Sequence, residues 1–516
     1  MKHIKYIFLV QCLKSTLIFI LLFSLSYFLY HQGLVALPRA DHTFILSERV
    51  FYSSDWEFFK SMVSFSRTRH VSPGDAFLFR PGTHALLAIT DIFLRPNLIA
   101  IGLLSVFWHS IVAWTIFLIS YVLGYFRIGL LFSILFLIQY SGMDMIMWRH
   151  ISPYMFSLIF LGLGLAVLNN SNASPTWKLF LICSGFSLAS MLFHEFLAVA
   201  LPLTGAILYS LKFVQPRKFL EADLNKYLML CFLPAIIFFG LDLIDFYVNK
   251  VSFLGTADAR DNLSHGILYN CIYLLGLFFV AYFFPFVIQF ENLRDKVSWD
   301  FVALFPKQIY LILGIILLLS LSYVLLSAIR KRSFNSSNFT VLLIINYLVV
   351  LIGSLVILRM NLRGIGYMKF ASYYFYITNY LFFLFLIFNY HSLRDYFTKL
   401  SLIKYKKVIL IFSSLGLIFF ILPQIYLIKN TLDKSVLPED WKMSRLVYFI
   451  SSSTDSSTGF CYGGTTENIN NLFDERLLYR QRCKVRKSGI PLYLVTNLTG
   501  KLELTDFSDI HIIVAH

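Results

Sequence analysis

The feature that most restricts this chain is the recurrence of apolar runs near twenty residues long. They lie near 7–30, 98–123, 128–147, 154–168, 178–193, 196–211, 227–248, 267–290, 308–329, 339–358, 371–390 and 408–428. A hydrocarbon core of roughly 30 Å takes about 20 helical residues to cross, and only helices or closed barrels satisfy their own backbone within it. Composition points the same way: 58% of the 516 residues are hydrophobic and 14% charged, with a mean hydropathy of +0.71. Soluble domains carry about a quarter charged residues. The expectation is an all-α polytopic membrane protein. Its first run contains Lys14, is too long for a signal-peptide core and is followed by no small-x-small cleavage site, so it reads as a retained anchor.

A net charge of +16 does not indicate nucleic acid here, because the Lys and Arg residues fall in short segments between helices and not along one soluble face. Lys2/Lys5, Lys212/Arg217/Lys218/Lys226, Arg330/Lys331/Arg332 and Arg394/Lys399/Lys404/Lys406/Lys407 read as cytoplasmic. The long loop after the first helix and the C-terminal tail then lie outside. Three apolar runs separate two clusters that want the same side, so one of them does not span. The run 267–290, broken by Pro285, is the candidate, which leaves about eleven spans with the N-terminus inside and the C-terminus outside.

Two regions are expected: a transmembrane domain over 1–430 with a large first outer loop at 31–97, and a small extracytoplasmic α+β tail over 431–516. In the tail, Pro438-Glu-Asp-Trp441 reads as a helix start. The segment 491–504, with Gly500 between apolar stretches, reads as a β-hairpin. Cys12, Cys183, Cys231 and Cys271 sit in apolar runs and read as small buried hydrophobes. Cys461 and Cys483 either remain thiols or close a loop of about 20 residues, worth roughly 3 kcal/mol in the chain-entropy account.

The first loop carries most of the candidate chemistry. Asp41 follows the first membrane exit, flanked by Arg39 and His42; Asp55-Trp56, His70, Asp75 and the Arg80-Pro81 corner come after it. A carboxylate there is a candidate general base for an acceptor hydroxyl, against the bland reading of a solvated loop acid. Between them, Val50 to Phe65 mixes aromatics with Asp55, Glu57 and Lys60, an amphipathic pattern suited to the headgroup region. Arg80 and Arg149-His150 suit a lipid phosphate, because the guanidinium fork matches phosphate oxygens; snorkelling is their structural alternative.

His194-Glu195 falls between two apolar runs with almost no polar loop, where an ionisable pair is costly unless partnered. It suits a substrate hydroxyl, a basic group or a pairing with Arg149. Asp242 and Asp245 share a helix face, as in a cation-coupled transporter or an interfacial helix end. Arg359, Arg363 and Lys369 place positive charge in a glycine-containing outer loop, suited to a phosphate or to anionic lipid. There is no GxxxxGK[ST] and no strand leading into GxGxxG, so neither an ATP-driven pump nor a dinucleotide enzyme is indicated.

In this arrangement the chain resembles the GT-C glycosyltransferases, integral membrane enzymes that take sugars from polyprenyl phosphates. The likeness is to the dolichyl-phosphate-mannose-dependent O-mannosyltransferases and to the bacterial and phage serotype-converting glucosyltransferases. It is carried by Asp41 just after helix 1, then Asp55-Trp56, His70 and Phe79-Arg80-Pro81 in the family's order, and by His194-Glu195 where the mannosyltransferases have a Lys-Glu pair. It departs from the family in having Ala40, not a second acid, before Asp41, so Asp55 or Asp75 is an alternative acid with Glu195 in support. Lys369-Phe-Ala-Ser-Tyr373 matches a later Arg-x-x-Tyr segment only loosely, and residues 1–215 carry most of the likeness.

The resemblance implies a GT-C-like fold of about 11 to 13 transmembrane helices and inverting transfer of a monosaccharide to a glycan, such as O-antigen or another surface polysaccharide, or to a protein. Asp41 would be the base; Arg80, Arg149, Arg363 and Lys369 would meet the donor phosphate; His70 and His194 would contact substrate. The implied partners are a polyprenyl-phosphate-linked sugar, membrane lipids, and the flippase and synthase that deliver the donor, with no nucleic acid. Divalent metal stays open, since some relatives use one. The expected location is a bacterial inner membrane with the site facing the periplasm. The rivals are a lipid-linked oligosaccharide flippase or proton-coupled transporter, resting on Asp242 and Asp245, and an O-antigen polymerase or ligase, which would carry its large loop later in the chain.

Overall fold

The structure is a computed structural model. It describes residues 2–35, 54–63, 79–94, 98–147, 151–170, 176–214, 221–249, 266–283, 307–330, 335–360, 372–399 and 406–435, and four strands at 459–463, 492–497, 503–507 and 510–515.

The apolar runs are helical. In chain order the helices are α1 (Lys2–Tyr30), α2 (Asp55–Val63), α3 (Pro81–Leu94), α4 (Leu98–Val122), α5 (Phe126–Leu137), α6 (Ser141–Met147), α7 (Met155–Asn169) and α8 (Trp177–Phe193). They continue with α9 (Phe196–Val214), α10 (Glu221–Asn249), α11 (Ile267–Phe283), α12 (Lys307–Arg330), α13 (Ser336–Ser354), α14 (Ser372–Lys399) and α15 (Lys406–Ser435). Among the described residues six helices are long and apolar enough to cross a membrane, or seven if the bent pair α5 and α6 is one span. Further apolar helices, including α11, are shorter. Many of them turn large apolar side chains outward, as Ile236, Leu243 and Ile244 do on α10 and Leu319 and Tyr323 on α12. A soluble monomer rarely exposes contiguous apolar surface on that scale; a lipid-facing bundle does. The protein is an integral membrane protein.

Packing inside the bundle uses the means available without a hydrophobic driving force between helices: close backbone approach and interhelical hydrogen bonds. A Cβ on Gly276 of α11 would lie 1.8 Å from the Tyr310 carbonyl oxygen, and one on Gly314 of α12 would lie 2.0 Å from that of Ile272. These two helices touch backbone to backbone. Asn346 Nδ2 donates to Thr204 Oγ1 at 2.9 Å, joining α13 to α9. Thr115 and Tyr380 hydroxyls, 2.9 Å apart, join α4 to α14. One end of α14 is buried on all sides, with Tyr374, Phe375, Tyr376, Ile377, Tyr380 and Leu381 all enclosed.

The run 128–147 is not one helix. It bends by 68° between α5 and α6, which frees backbone groups that hydrocarbon cannot satisfy. Side chains from distant helices meet them. Tyr30 Oη and His109 Nε2 lie 3.0 and 3.3 Å from the Leu137 carbonyl oxygen, and the Tyr140 N–H donates to Gln424 Oε1 at 2.7 Å. Gln424 in turn donates to the Tyr282 carbonyl at 3.1 Å. Because Nε2 faces a carbonyl it carries the ring proton, so Nδ1 of His109 accepts from the Tyr376 hydroxyl at 2.8 Å. The Gln139 side chain at the bend is 1% exposed, and neither of its amide atoms has a hydrogen-bond partner.

The strands β1 (Gly459–Gly463), β2 (Leu492–Asn497), β3 (Glu503–Phe507) and β4 (Ile510–Ala515) form one sheet in the order β1-β2-β4-β3. β2 runs parallel to β1 and β4, and only β3 and β4 are antiparallel. The hairpin expected around Gly500 is therefore not formed: β4 inserts between its two arms, and the antiparallel pair is β3 with β4. The helix start expected at 438–441 lies outside the described residues.

Candidate functional site

The site grows from the end of the first loop. Arg80 directly precedes α3, with Pro81 at the first helical position, where its missing N–H costs nothing. The His84 N–H closes the first turn onto the Arg80 carbonyl at 3.2 Å. α3 abuts the end of α8: Thr83 Oγ1 donates to the Phe193 carbonyl at 2.9 Å, and a Cβ on Gly82 would lie 3.0 Å from the Leu192 carbonyl oxygen. α8 stops at Phe193 because His194 turns extended, at φ −157° and ψ 125°. Its N–H still bonds the Ser190 carbonyl, while the Glu195 carbonyl takes the Ala198 N–H and starts α9. A two-residue turn thus delivers an imidazole and a carboxylate beside Arg80.

The three side chains form one cluster with Tyr154. Arg80 Nε donates to Glu195 Oε2 at 2.5 Å and Nη2 to Oε1 at 2.6 Å, a two-pronged charge-assisted contact. Nη1 bonds the Tyr154 hydroxyl, and the guanidinium carbon stands 4.6 Å from the Tyr154 ring centre. His194 meets the same ring edge-on at 5.1 Å and lies 4.4 Å from the Phe196 ring. Its Nδ1 is 3.7 Å from Glu195 Oε2. Arg80 is 4% exposed and His194 fully enclosed, whereas the Glu195 side chain is 20% exposed. Burial by itself pushes the Glu195 carboxyl up; the charges of Arg80 and His194 and the Arg80 hydrogen bonds more than reverse this, holding it at about 2. Such a group accepts hydrogen bonds and stays charged. It is too acidic to serve as a base near neutral pH.

The described part of the first loop, α2, packs on α3, which begins at this cluster. Ser54 caps α2, its Oγ accepting the Glu57 N–H at 3.2 Å. Phe58 and Met62 on one face of α2 bury against Leu87 and Ala88 of α3, and Asp55, Trp56, Glu57 and Lys60 occupy the exposed face. This is the amphipathic helix expected in the loop, with Lys60 Nζ placed 5.2 Å from the Trp56 ring centre.

Of the residues marked from sequence, the structure brings together Arg80, His194 and Glu195. Glu195 pairs with Arg80 where Arg149 was an expected partner. The guanidinium expected to meet a phosphate points its Nε, Nη1 and Nη2 at protein groups. Asp55 is exposed on α2, whose Phe58 and Met62 pack against Leu87 and Ala88 of α3. Asp41, His70, Asp75, Arg149, Arg363, Lys369 and Cys483 lie outside the described residues, and Cys461 is in β1. On α10, Asp245 is buried and Asp242 half-buried. Cys183 and Cys231 are buried free thiols. Among the described residues no three His, Cys, Asp or Glu side chains are grouped to hold a metal ion. Tyr154 was missed by sequence reading: a Tyr after Pro153, in a chain with 30 Tyr, carries no signal of its own.

No protein-family model matches this chain, and no curated protein matches it either. What fold and site define is an integral membrane protein with an Arg-Glu-Tyr-His cluster at the junction of its first loop and its bundle.

Proposed function

We propose that the protein is an inverting membrane glycosyltransferase of the GT-C type, with about eleven spans, moving a monosaccharide from a polyprenyl phosphate to a glycan or protein acceptor. The active face is periplasmic in a bacterial inner membrane. The observation that carries this reading is the anchoring of the described end of the first loop: α2 packs on α3, and Arg80 at the start of α3 pairs with Glu195 in a polar cluster of the bundle. A loop that only links two spans has no need of such an anchor. Asp41 takes the proton of the acceptor hydroxyl as its oxygen attacks the anomeric carbon; the bond from that carbon to the phosphate oxygen breaks, and polyprenyl phosphate departs with the electron pair. Arg149, Arg363 and Lys369 supply the positive charge that stabilises it.

Transfer of radiolabelled sugar from polyprenyl-phosphate glucose or mannose to endogenous glycan is expected in wild-type membranes and lost in Asp41→Asn at matched expression. Full activity of that variant moves the base to Asp55 or Asp75. Absence of transfer by the wild type favours the second reading, a proton-coupled transporter, for which Asp245 buried on α10 is the supporting observation.

A further inference from the structure

We infer that Glu195, and not Arg80, is the group of this cluster that touches the substrate, and that it takes a hydroxyl of the transferred sugar. The inference rests on the glycosyltransferase reading.

Accessibility decides which residue meets a ligand. Arg80 is 4% exposed behind the carboxylate and His194 is closed off, while Glu195 is 20% exposed. A ligand arriving from the open side meets carboxylate oxygens first. A phosphate would meet like charge there, so the anionic end of the donor belongs elsewhere, with the basic residues beyond this cluster. A free cation finds little to hold it either, because the Arg80 charge cancels that of Glu195 across contacts of 2.5 and 2.6 Å. What matches a charge-neutral pair with acceptor capacity is a neutral donor. Each carboxylate oxygen offers two lone-pair directions, and Arg80 uses one on each. The residue's own backbone N–H takes a third, which leaves one for a ligand hydroxyl.

The surroundings suit a sugar as well. Tyr154 and Phe196 pack on the enclosed His194 ring, and Phe193, half-buried, stacks on Phe156 at 5.2 Å. Of these rings the half-buried Phe193 and Phe156 are the ones open to receive the C–H face of a pyranose while its hydroxyl reaches the carboxylate. A carboxyl held at about 2 remains an acceptor through any pH at which the membrane survives, so this contact recognises and orients without moving a proton. Arg80 is then a positioning residue, locking both oxygens in one plane.

The test uses full-length protein in lipid nanodiscs and three probes: polyprenyl-phosphate glucose, polyprenyl-phosphate mannose and bare polyprenyl phosphate. The wild type is expected to bind at least one glycosylated lipid more tightly than the bare one. Glu195→Gln weakens that glycosylated lipid by about 10- to 100-fold, the worth of hydrogen bonds to a charged acceptor, and leaves the bare lipid unchanged. Arg80→Lys, which keeps the charge without the fork, shows the same selectivity at smaller amplitude. Retained affinity for the bare lipid reports a folded variant; if Glu195→Gln loses it along with its monodisperse profile, Glu195→Asp, which keeps the charge but withdraws it by one methylene, carries the same comparison. Equal weakening of bare and glycosylated lipids in a folded variant, no weakening of either, or equal wild-type affinity for both overturns the sugar contact and leaves the transferase reading standing. A wild type that binds none of the three overturns the lipid-sugar reading and this inference with it.

Discussion

Removing one partner of the Arg80–Glu195 pair should cost far more than removing both. A buried ion pair broken on one side strands a charge in low dielectric, a loss of about 3–5 kcal/mol, whereas replacing both partners by apolar residues of similar volume is often near neutral. The titration of Glu195 supplies an independent figure. Its carboxyl falls from an ordinary 4.5 to about 2, and at 1.36 kcal/mol per unit this is roughly 3 kcal/mol of preference for the charged form in the folded protein. The two routes agree in size. The perturbation is therefore a cycle of Arg80→Met, Glu195→Leu and the double variant, read by reversible unfolding in mixed detergent micelles. Each single variant is expected to lose about 3–5 kcal/mol and the double variant less than either single one, so that the two losses fail to add by more than about 3 kcal/mol. Because the folded pKa is depressed, the stabilisation is complete above the unfolded value of 4.5 and drains away as pH falls from there toward about 2. The wild type loses it in that window and the double variant does not. Losses that simply add, to within about 0.5 kcal/mol, together with matching acid profiles, would refute the reasoning.

Three further outcomes follow from the bundle. Gln424→Leu leaves the Tyr140 N–H and the Tyr282 carbonyl without their partner, at about 1–3 kcal/mol for each buried group, measured as lowered unfolding free energy in the same micelles. Gln139→Leu works in the opposite direction: the amide it removes has no partner, so stability rises by about 1 kcal/mol, and a fall in the unfolding midpoint would contradict this. Gly276→Ala sets a methyl 1.8 Å from the Tyr310 carbonyl oxygen and forces α11 and α12 apart, a loss of at least about 1–3 kcal/mol; engineered cysteines across the pair should then cross-link more slowly.

The helices were legible because twenty-residue apolar runs in a chain of this composition have few other fates. The site was legible in its parts. Arg80 and His194-Glu195 each stood out as ionisable groups against apolar stretches, yet their pairing spans 115 positions, and local sequence carries the cost of a buried charge without naming what relieves it. The bend at 138–140 has neither Pro nor Gly in Ile138-Gln139-Tyr140, and only the adjoining Ser141-Gly142 marks it; the backbone groups it frees are met by Tyr30, His109 and Gln424, each far along the chain. The hairpin at Gly500 failed for a related reason. A glycine between two apolar stretches favours a local turn, but the pairing of β2 with β1 and β4 is parallel and non-local, and residues 491–504 say nothing of it.

The bond between Tyr140 and Gln424 also sets a timetable for biogenesis. The two residues are 284 positions apart, which at ordinary elongation rates of 5–20 residues per second separates their synthesis by about 15 to 60 seconds. Throughout that interval the translocon holds α5 and α6 without the acceptor that the bend requires, and an amide unsatisfied in hydrocarbon costs several kcal/mol. The bend is thus completed only when α15 docks. In pulse-labelled chains, protease sensitivity at the α5–α6 junction should persist until residue 424 has been made, so a nonsense mutation that stops the chain before Gln424 would damage the middle of the bundle.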